Sequence, residues 1–241
     1  MELMKYITAS KNAVNKGYQG LEKALMTYDE ALEALHQKAD TMTEQAVNDE
    51  HRALNEQLDA AIIAARDQMN AEIAKQRDGF TAEVTEHYRP DGAKIDQNDA
   101  AVLNAGFPLR DDEVFDLIVK HQDNNTMLRS IYAYIKQNRM VGRVPTRLIR
   151  ACMRAEQGGE AETKVFERFI HLATMGFAHP DKNYTFYQAA LDDYETDAEL
   201  HLLKAVPYAS AEVQVKIDQI EREQMQKRND TRAKRNAFLS D

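Results

Sequence analysis

The chain has 241 residues, 43% of them hydrophobic and 29% charged, with a formal net charge of -9, no Trp and a single cysteine, Cys152. That length gives one large or two small domains; nine glycines and five prolines are too few for the turns of a many-stranded protein, which excludes an all-β fold. One cysteine excludes an internal disulfide and suits a reducing cytoplasm, and an acidic surface is a poor match for nucleic acid unless the charge is unevenly placed.

Residues 1–19 read as an N-terminal arm. Met1 to Ser10 runs into Lys11, Asn12 and Asn15 before any signal-peptide core can form. No apolar run approaches the roughly 18 residues that a membrane span needs.

Residues 20–89 carry the strongest periodicity. Leu21, Tyr28, Leu35 and Met42 recur every seven residues, and Leu25, Leu32, Ala39 and Ala46 fill the other seam position of a heptad. The heptad fails near Asp49. Leu58, Met69 and Phe80 then recur every eleven residues, as do Ile62, Ile73 and Val84. An eleven-residue repeat favours a straight or right-handed supercoil. The pattern predicts one nearly continuous helix from Gly20 to Tyr88, with a change of pitch near Val47 to Leu54. Such a rod would be roughly 100 Å long at 1.5 Å per residue. It could not bury its stripe alone and would seek copies of itself, another chain, or the rest of its own chain folded back. The alternative is a helical hairpin closing near Asp49 to His51.

Arg89-Pro90-Asp91-Gly92 is a stop and turn, and residues 90–110 read as a polar linker containing Asp96, Asn98 and Asp99, with a second turn over Asn104 to Pro108. A helical domain is expected over 111–206. Asp111, Asp112 and Glu113 suit the positive end of a helix whose inner face is Val114, Leu117, Ile118 and His121. After a break at Asp123 to Thr126, a helix over Met127 to Arg139 would bury Leu128, Ile131, Tyr132 and Ile135. A helix from Val144-Pro145-Thr146 to Arg154 should end at Gly158-Gly159. Another, Glu160 to Met175, would be capped by Gly176. His179-Pro180-Asp181 reads as a loop, Phe186 to His201 as a helix with an acidic face, and Pro207 as its end. Residues 207–241 hold a final helix, Ala209 to Phe238, apolar at Val213, Ile217 and Ile220 and then polar to a frayed basic tail. The fold class expected is therefore all-α: a long coiled-coil helix, a helical bundle and a polar C-terminal helix.

Charge is the other signal. No Asp or Glu falls between Asn124 and Ala155, while Arg129, Lys136, Arg139, Arg143, Arg147, Arg150 and Arg154 do. Arg143, Arg147, Arg150 and Arg154 have helical spacing and would share a face if the segment were helical throughout. That stripe could grip an acidic partner or phosphates, or pair with Asp192, Asp193, Glu195, Asp197 and Glu199. From Arg222 to Arg235 the tail holds Arg222, Lys227, Arg228, Arg232, Lys234 and Arg235 against Glu223 and Asp230, a net +4. It could be a docking element or a solvated helix end.

Catalytic and metal motifs are weak. Glu167 and His171 are four apart with His179 nearby, but no second His completes a metalloprotease pair. Asp181, Asn183 and Thr185 mimic a calcium loop, but Phe186 stands where Gly is needed and Asp192 where a bidentate Glu is needed. Cys152 lies among arginines that could lower a thiol pKa, yet no sequence motif supplies a base. Tyr132, Tyr134, Tyr184, Phe186 and Tyr187 have the spacing of packing aromatics. No cofactor and no metal is expected.

The segment from Asp111 to Asn138, and within it Asn125-Thr126-Met127-Leu128-Arg129, resembles small helical proteins encoded near the capsid genes of tailed bacteriophages. The general plan is also similar to phage scaffolding and internal head proteins. The resemblance implies a virion-assembly or virion-structural role and transfers no functional residue. The expected function is an oligomeric structural protein acting through protein contacts, in the host cytoplasm during assembly or in the virion. Its partners would be copies of itself and capsid or portal components. The alternatives are a nucleic-acid-associated protein using the Arg143 to Arg154 stripe, or an enzyme whose ligands are scattered in sequence. The seam residues are Leu21, Leu25, Tyr28, Leu32, Leu35, Met42, Leu58, Ile62, Met69, Ile73, Phe80 and Val84. The docking residues are Arg139, Arg143, Arg147, Arg150, Arg154, Lys227, Arg228, Arg232, Lys234 and Arg235.

Overall fold

The computed structural model describes residues 2–178, 184–204 and 211–238. Among them the chain is all-α, with no strand. The helices are α1 (Met4–Lys38), α2 (Glu44–Tyr88), α3 (Gln97–Asn104), α4 (Asp111–Lys120), α5 (Asn125–Gln137), α6 (Thr146–Gln157), α7 (Glu160–Thr174), α8 (Tyr184–Ala189), α9 (Leu191–Lys204) and α10 (Ala211–Phe238). They form two compact units. The hairpin unit is Glu2–Phe80 with Glu167–Glu195, and the bundle unit is Thr81–Phe166 with Thr196–Asp241.

The hairpin unit corrects the expectation of a continuous rod. Helix α1 already starts at Met4 and stops at Lys38, where a 3-10 turn (Ala39–Thr41) follows, and Met42 is extended (φ -110°, ψ 158°). The turn lies some ten residues before the predicted alternative at Asp49 to His51. Two threonines make it without Gly or Pro. Thr41 Oγ1 donates back to the Lys38 carbonyl (2.7 Å), and Thr43 Oγ1 accepts from the Ala46 N–H (3.3 Å), which starts the next helix. Short hydroxyl side chains compete with the helix for backbone groups in this way. The two helices then run back antiparallel: Tyr6 packs edge-on to Phe80, Gly17 lies against Met69, Gly20 against Ala65, and the Tyr28 hydroxyl donates to Asn55 Oδ1 (2.8 Å). Gly79, the sole glycine inside α2, sits under the Tyr6 ring, where a β-carbon would be too close.

The two halves of the hairpin differ in burial. Near its open end Ile7, Val14, Tyr18, Leu21, Met69, Ile73 and Phe80 are buried. Chain from 167–195 closes this base: Tyr18 stacks on Phe177 and donates to the Ala173 carbonyl (2.9 Å), Arg66 donates to the Phe177 carbonyl, and Arg77 grips Glu167 (2.8 Å). Lys11 holds Asp192 (2.5 Å) and Glu195 (2.7 Å). Between Glu22 and Ala65, by contrast, Leu35 alone is buried.

The bundle unit is built on α5 and α6, whose Leu128, Ile131, Ile135, Ile149 and Cys152 share a core with Val114 and Ile118 of α4 and Leu103 of α3. Helix α3 occupies part of the expected linker. Its N-cap is Asp96, whose carboxylate accepts from the Asn98 and Asp99 N–H groups (3.1 Å each). Gly158 (φ 63°) and Gly159 (φ 88°) end α6 as expected. A smaller cluster joins Leu200 of α9 to Ile217 and Ile220 of α10. The helix expected over Phe186 to His201 is interrupted at Ala190. The loop at His179-Pro180-Asp181 and the end at Pro207 lie outside the described residues.

Candidate protein-docking surfaces

In the outer hairpin Leu35 is the one predicted seam residue that is fully buried; the others are covered incompletely. Leu25, Tyr28, Leu32, Met42, Leu58 and Ile62 are half-buried, while Met26 and Ile63 beside them are 58% and 54% exposed. One flank opens into a groove of ≈ 240 Å³ lined by Gly20, Ala24, Thr27, Tyr28, Leu54 and Leu58 among others. Small side chains at Gly20, Ala24, Thr27, Ala31 and Ala61 leave that space. The seam residues of the hairpin base, Leu21, Met69, Ile73 and Phe80, are fully covered, and Val84 is buried in the bundle unit.

Charge separates this outer hairpin from the rest of the chain. Residues 22–65 hold ten carboxylates against three Lys or Arg side chains, a net -7 of the chain's -9.

The arginine stripe does not survive as a single face. Arg139 has a left-handed backbone (φ 55°) and Arg143 lies in the turn before α6, because Pro145 caps a helix that begins only at Thr146. Pro removes a backbone donor and suits helix starts, so it sets that boundary. Arg143 pairs with Asp111 (2.7 Å). Arg147 and Arg150 are exposed on α6. Arg154 turns inward, 3.8 Å from Glu162, which is 3% exposed and also accepts from the Tyr88 hydroxyl (2.8 Å). Burial, then the adjacent carboxylate, pushes the Tyr88 pKa upward. Of the acids offered as partners for the stripe, Asp192 and Glu195 go to Lys11 and Glu199 goes to Lys216 (2.5 Å). In the tail, Lys227 and Arg228 are exposed, and the side chains of Arg232, Lys234 and Arg235 lie outside the described residues.

The stretch from Asn124 to Arg129 has a structural use. Asn124 caps α5 through the Met127 N–H (3.2 Å) and donates to the Lys94 carbonyl. Asn125 donates to the His87 carbonyl (2.9 Å), Thr126 Oγ1 accepts from the Asp91 N–H (2.9 Å), and Arg129 bridges the Tyr88 and Ala155 carbonyls (2.8 and 2.5 Å). The last carbonyls of a helix have no intrahelical partner. This segment supplies partners at the ends of both α2 and α6. The two Arg129 bonds are charge-assisted and contribute about 2 kcal/mol each, the neutral Asn and Thr bonds about 1 kcal/mol each.

One constellation was missed in the sequence. Asp96, Asp99 and His121 bring three ligand atoms within 4.8 Å of one another. The spacings 96, 99 and 121 match no metal motif, and α3 itself was read as linker. Lys120 supplies a cation to the group, bonding Asp96 (2.9 Å) and Asp99 (2.6 Å), while His121 Nε2 lies 2.6 Å from Asp99. The arrangement is a polar clamp between α3 and α4. Cys152 is fully buried, and burial pushes its thiol up to about 12, so it packs rather than reacts. Glu167 is held by Arg77, and His171 is exposed.

No family model, curated protein or solved structure matches the chain. No described helix is long and apolar enough to cross a membrane.

Proposed function

We propose that the protein is an oligomeric structural or assembly component working through protein–protein contacts, with the outer hairpin as its docking part. The observation that carries this reading is the half-exposed seam from Leu25 to Ile62, flanked by Met26 and Ile63. A contiguous apolar strip of this kind marks an interaction surface more often than a free face. A phage particle is the assembly to which the resemblance of residues 111–138 points. The nucleic-acid alternative is weakened, because Arg143 and Arg154 are engaged with Asp111 and Glu162.

The test is light scattering over a range of concentrations. The intact chain should associate, and Met26→Ser with Ile63→Ser should weaken association at least tenfold without loss of helicity, because both side chains lie outside the hairpin seam. A chain that stays monomeric throughout, or a double variant that associates as tightly as the parent, sinks the reading.

A further inference from the structure

An apolar groove says nothing by itself of what fills it, but the charge around this one does. Residues 22–65 are at -7, with Glu22, Asp29, Glu33 and Asp59 exposed beside Met26 and Ile63. Two such arms laid side by side would bring like charges together and repel, so charge argues against a symmetric arm-to-arm dimer.

The complementary element is on the same chain. Helix α10 is anchored by Ile217, Ile220 and the Glu221–Lys204 ion pair (2.6 Å), and no described side chain beyond Ile220 is buried. The helix nevertheless continues to Phe238. Arg222 to Arg235 is at +4, and Met225 is 65% exposed within it. At 1.5 Å per residue, Glu221 to Phe238 extends about 27 Å and Glu22 to Lys38 about 25 Å, so the two are matched in length as well as opposite in sign.

Resting on the assembly reading above, we propose that the outer hairpin of one copy receives the C-terminal helix of a second copy. Helix α10 would lie along the acidic arm, with Arg222 and Arg228 facing Glu22, Asp29 and Glu33 and with Met225 against the apolar strip. The contact is head-to-tail, since each molecule offers two different surfaces. It therefore propagates into a ring or a filament instead of ending at a dimer. Opposite charges on the two surfaces steer encounter and make the contact salt-sensitive.

Two charge-reversal variants test it: Asp29→Lys with Glu33→Lys on the arm, and Arg222→Glu with Arg228→Glu on α10. All four positions are exposed, so circular dichroism should match the parent. In light scattering, the parent should associate beyond a dimer and fall apart as salt is raised. Each variant alone should be monomeric, with association weakened at least a hundredfold. An equimolar mixture of the two should recover association, because each partner keeps one parental surface and the reversed positions are again opposite in sign. Several results overturn the proposal: a variant that assembles like the parent, a mixture that stays monomeric, or parent assembly indifferent to salt. In those cases a parent that still assembles leaves the assembly reading standing and removes only this partner. A monomeric parent removes both.

Discussion

Gly159 is a position at which the bundle unit has no room for a side chain. Its backbone is left-handed (φ 88°), and a β-carbon there would overlap Val84 Cγ1 and lie 2.9 Å from the Tyr88 ring. Both obstacles are rigid: Val84 and Tyr88 are 3% and 6% exposed, and the Tyr88 hydroxyl is tied to buried Glu162. The conformational penalty is about 1–2 kcal/mol and overpacking adds about 1–3 kcal/mol. Gly159→Ala should therefore destabilise the chain by about 3 kcal/mol, read as a drop in denaturation midpoint. Gly158→Ala should cost less, since a β-carbon there meets only the end of the Arg129 side chain at 3.6 Å. Equal midpoints for the two variants would show that the close approach of Gly159 to α2 is wrong.

At the scale of elements, the polar staple between α3 and α4 makes a pH prediction. Hydrogen bonds from Lys120 and from the α3 backbone hold Asp96 below the usual carboxylate range. Burial works to raise Asp99, but bonds from Lys120 and His121 outweigh it and leave that group lowered too. Lys120 is raised by the same two carboxylates. A lowered carboxylate pKa gives stability that is full above the unfolded value, near 3.9, and is lost as pH falls through the folded one. A raised Lys gives stability that is lost only as pH climbs through its folded pKa, far on the alkaline side. Stability should thus decline as pH falls below about 4, and Asp99→Asn should flatten that decline in thermal melts. Identical slopes for parent and variant would show that the staple forms no part of the acid transition. The same elements show what could be read in advance. The heptads from Leu21 to Met42 and the eleven-residue spacings from Leu58 to Val84 both mark stripes that face inward, because burial follows helical period directly. The turn at 39–43 was not legible, since a search for Gly and Pro passes over Thr41 and Thr43. The missed signal was a pair of hydroxyls straddling Met42 in a run otherwise free of Thr or Ser after Thr27. Helix α3 was hidden for the same reason: Asp96 looked like linker polarity and is an N-cap. The arginine spacing misled because 143, 147, 150 and 154 count along a helix that the chain does not begin until Thr146.

At the scale of the whole molecule, neither unit is one continuous piece of chain. The hairpin looks self-contained in sequence, yet its base is finished by residues from 167 onward. Tyr18 is fully buried only because Phe177 stacks on it at 4.8 Å and the Ala173 carbonyl accepts its hydroxyl, and Arg66 reaches the Phe177 carbonyl as well. Burial pushes the Tyr18 pKa up to about 12. A fragment of residues 1–88 would return the Tyr18 ring, Met69 and the Arg66 head to water. Losing one buried aromatic costs about 2–3 kcal/mol and one hydrogen bond about 1 kcal/mol, a large part of the stability a two-helix hairpin can have. The outer half cannot compensate, because Leu35 is its sole buried side chain. The fragment should therefore show less helicity per residue than the parent and melt without a cooperative transition. Adding residues 167–195 as a separate peptide should restore part of the signal, by covering Tyr18 and pairing Glu167 with Arg77 and Asp192 with Lys11. A fragment that melts cooperatively at the parental midpoint would mean that the hairpin holds itself together. The contacts at Phe177 would then be an adornment of the base and not its support.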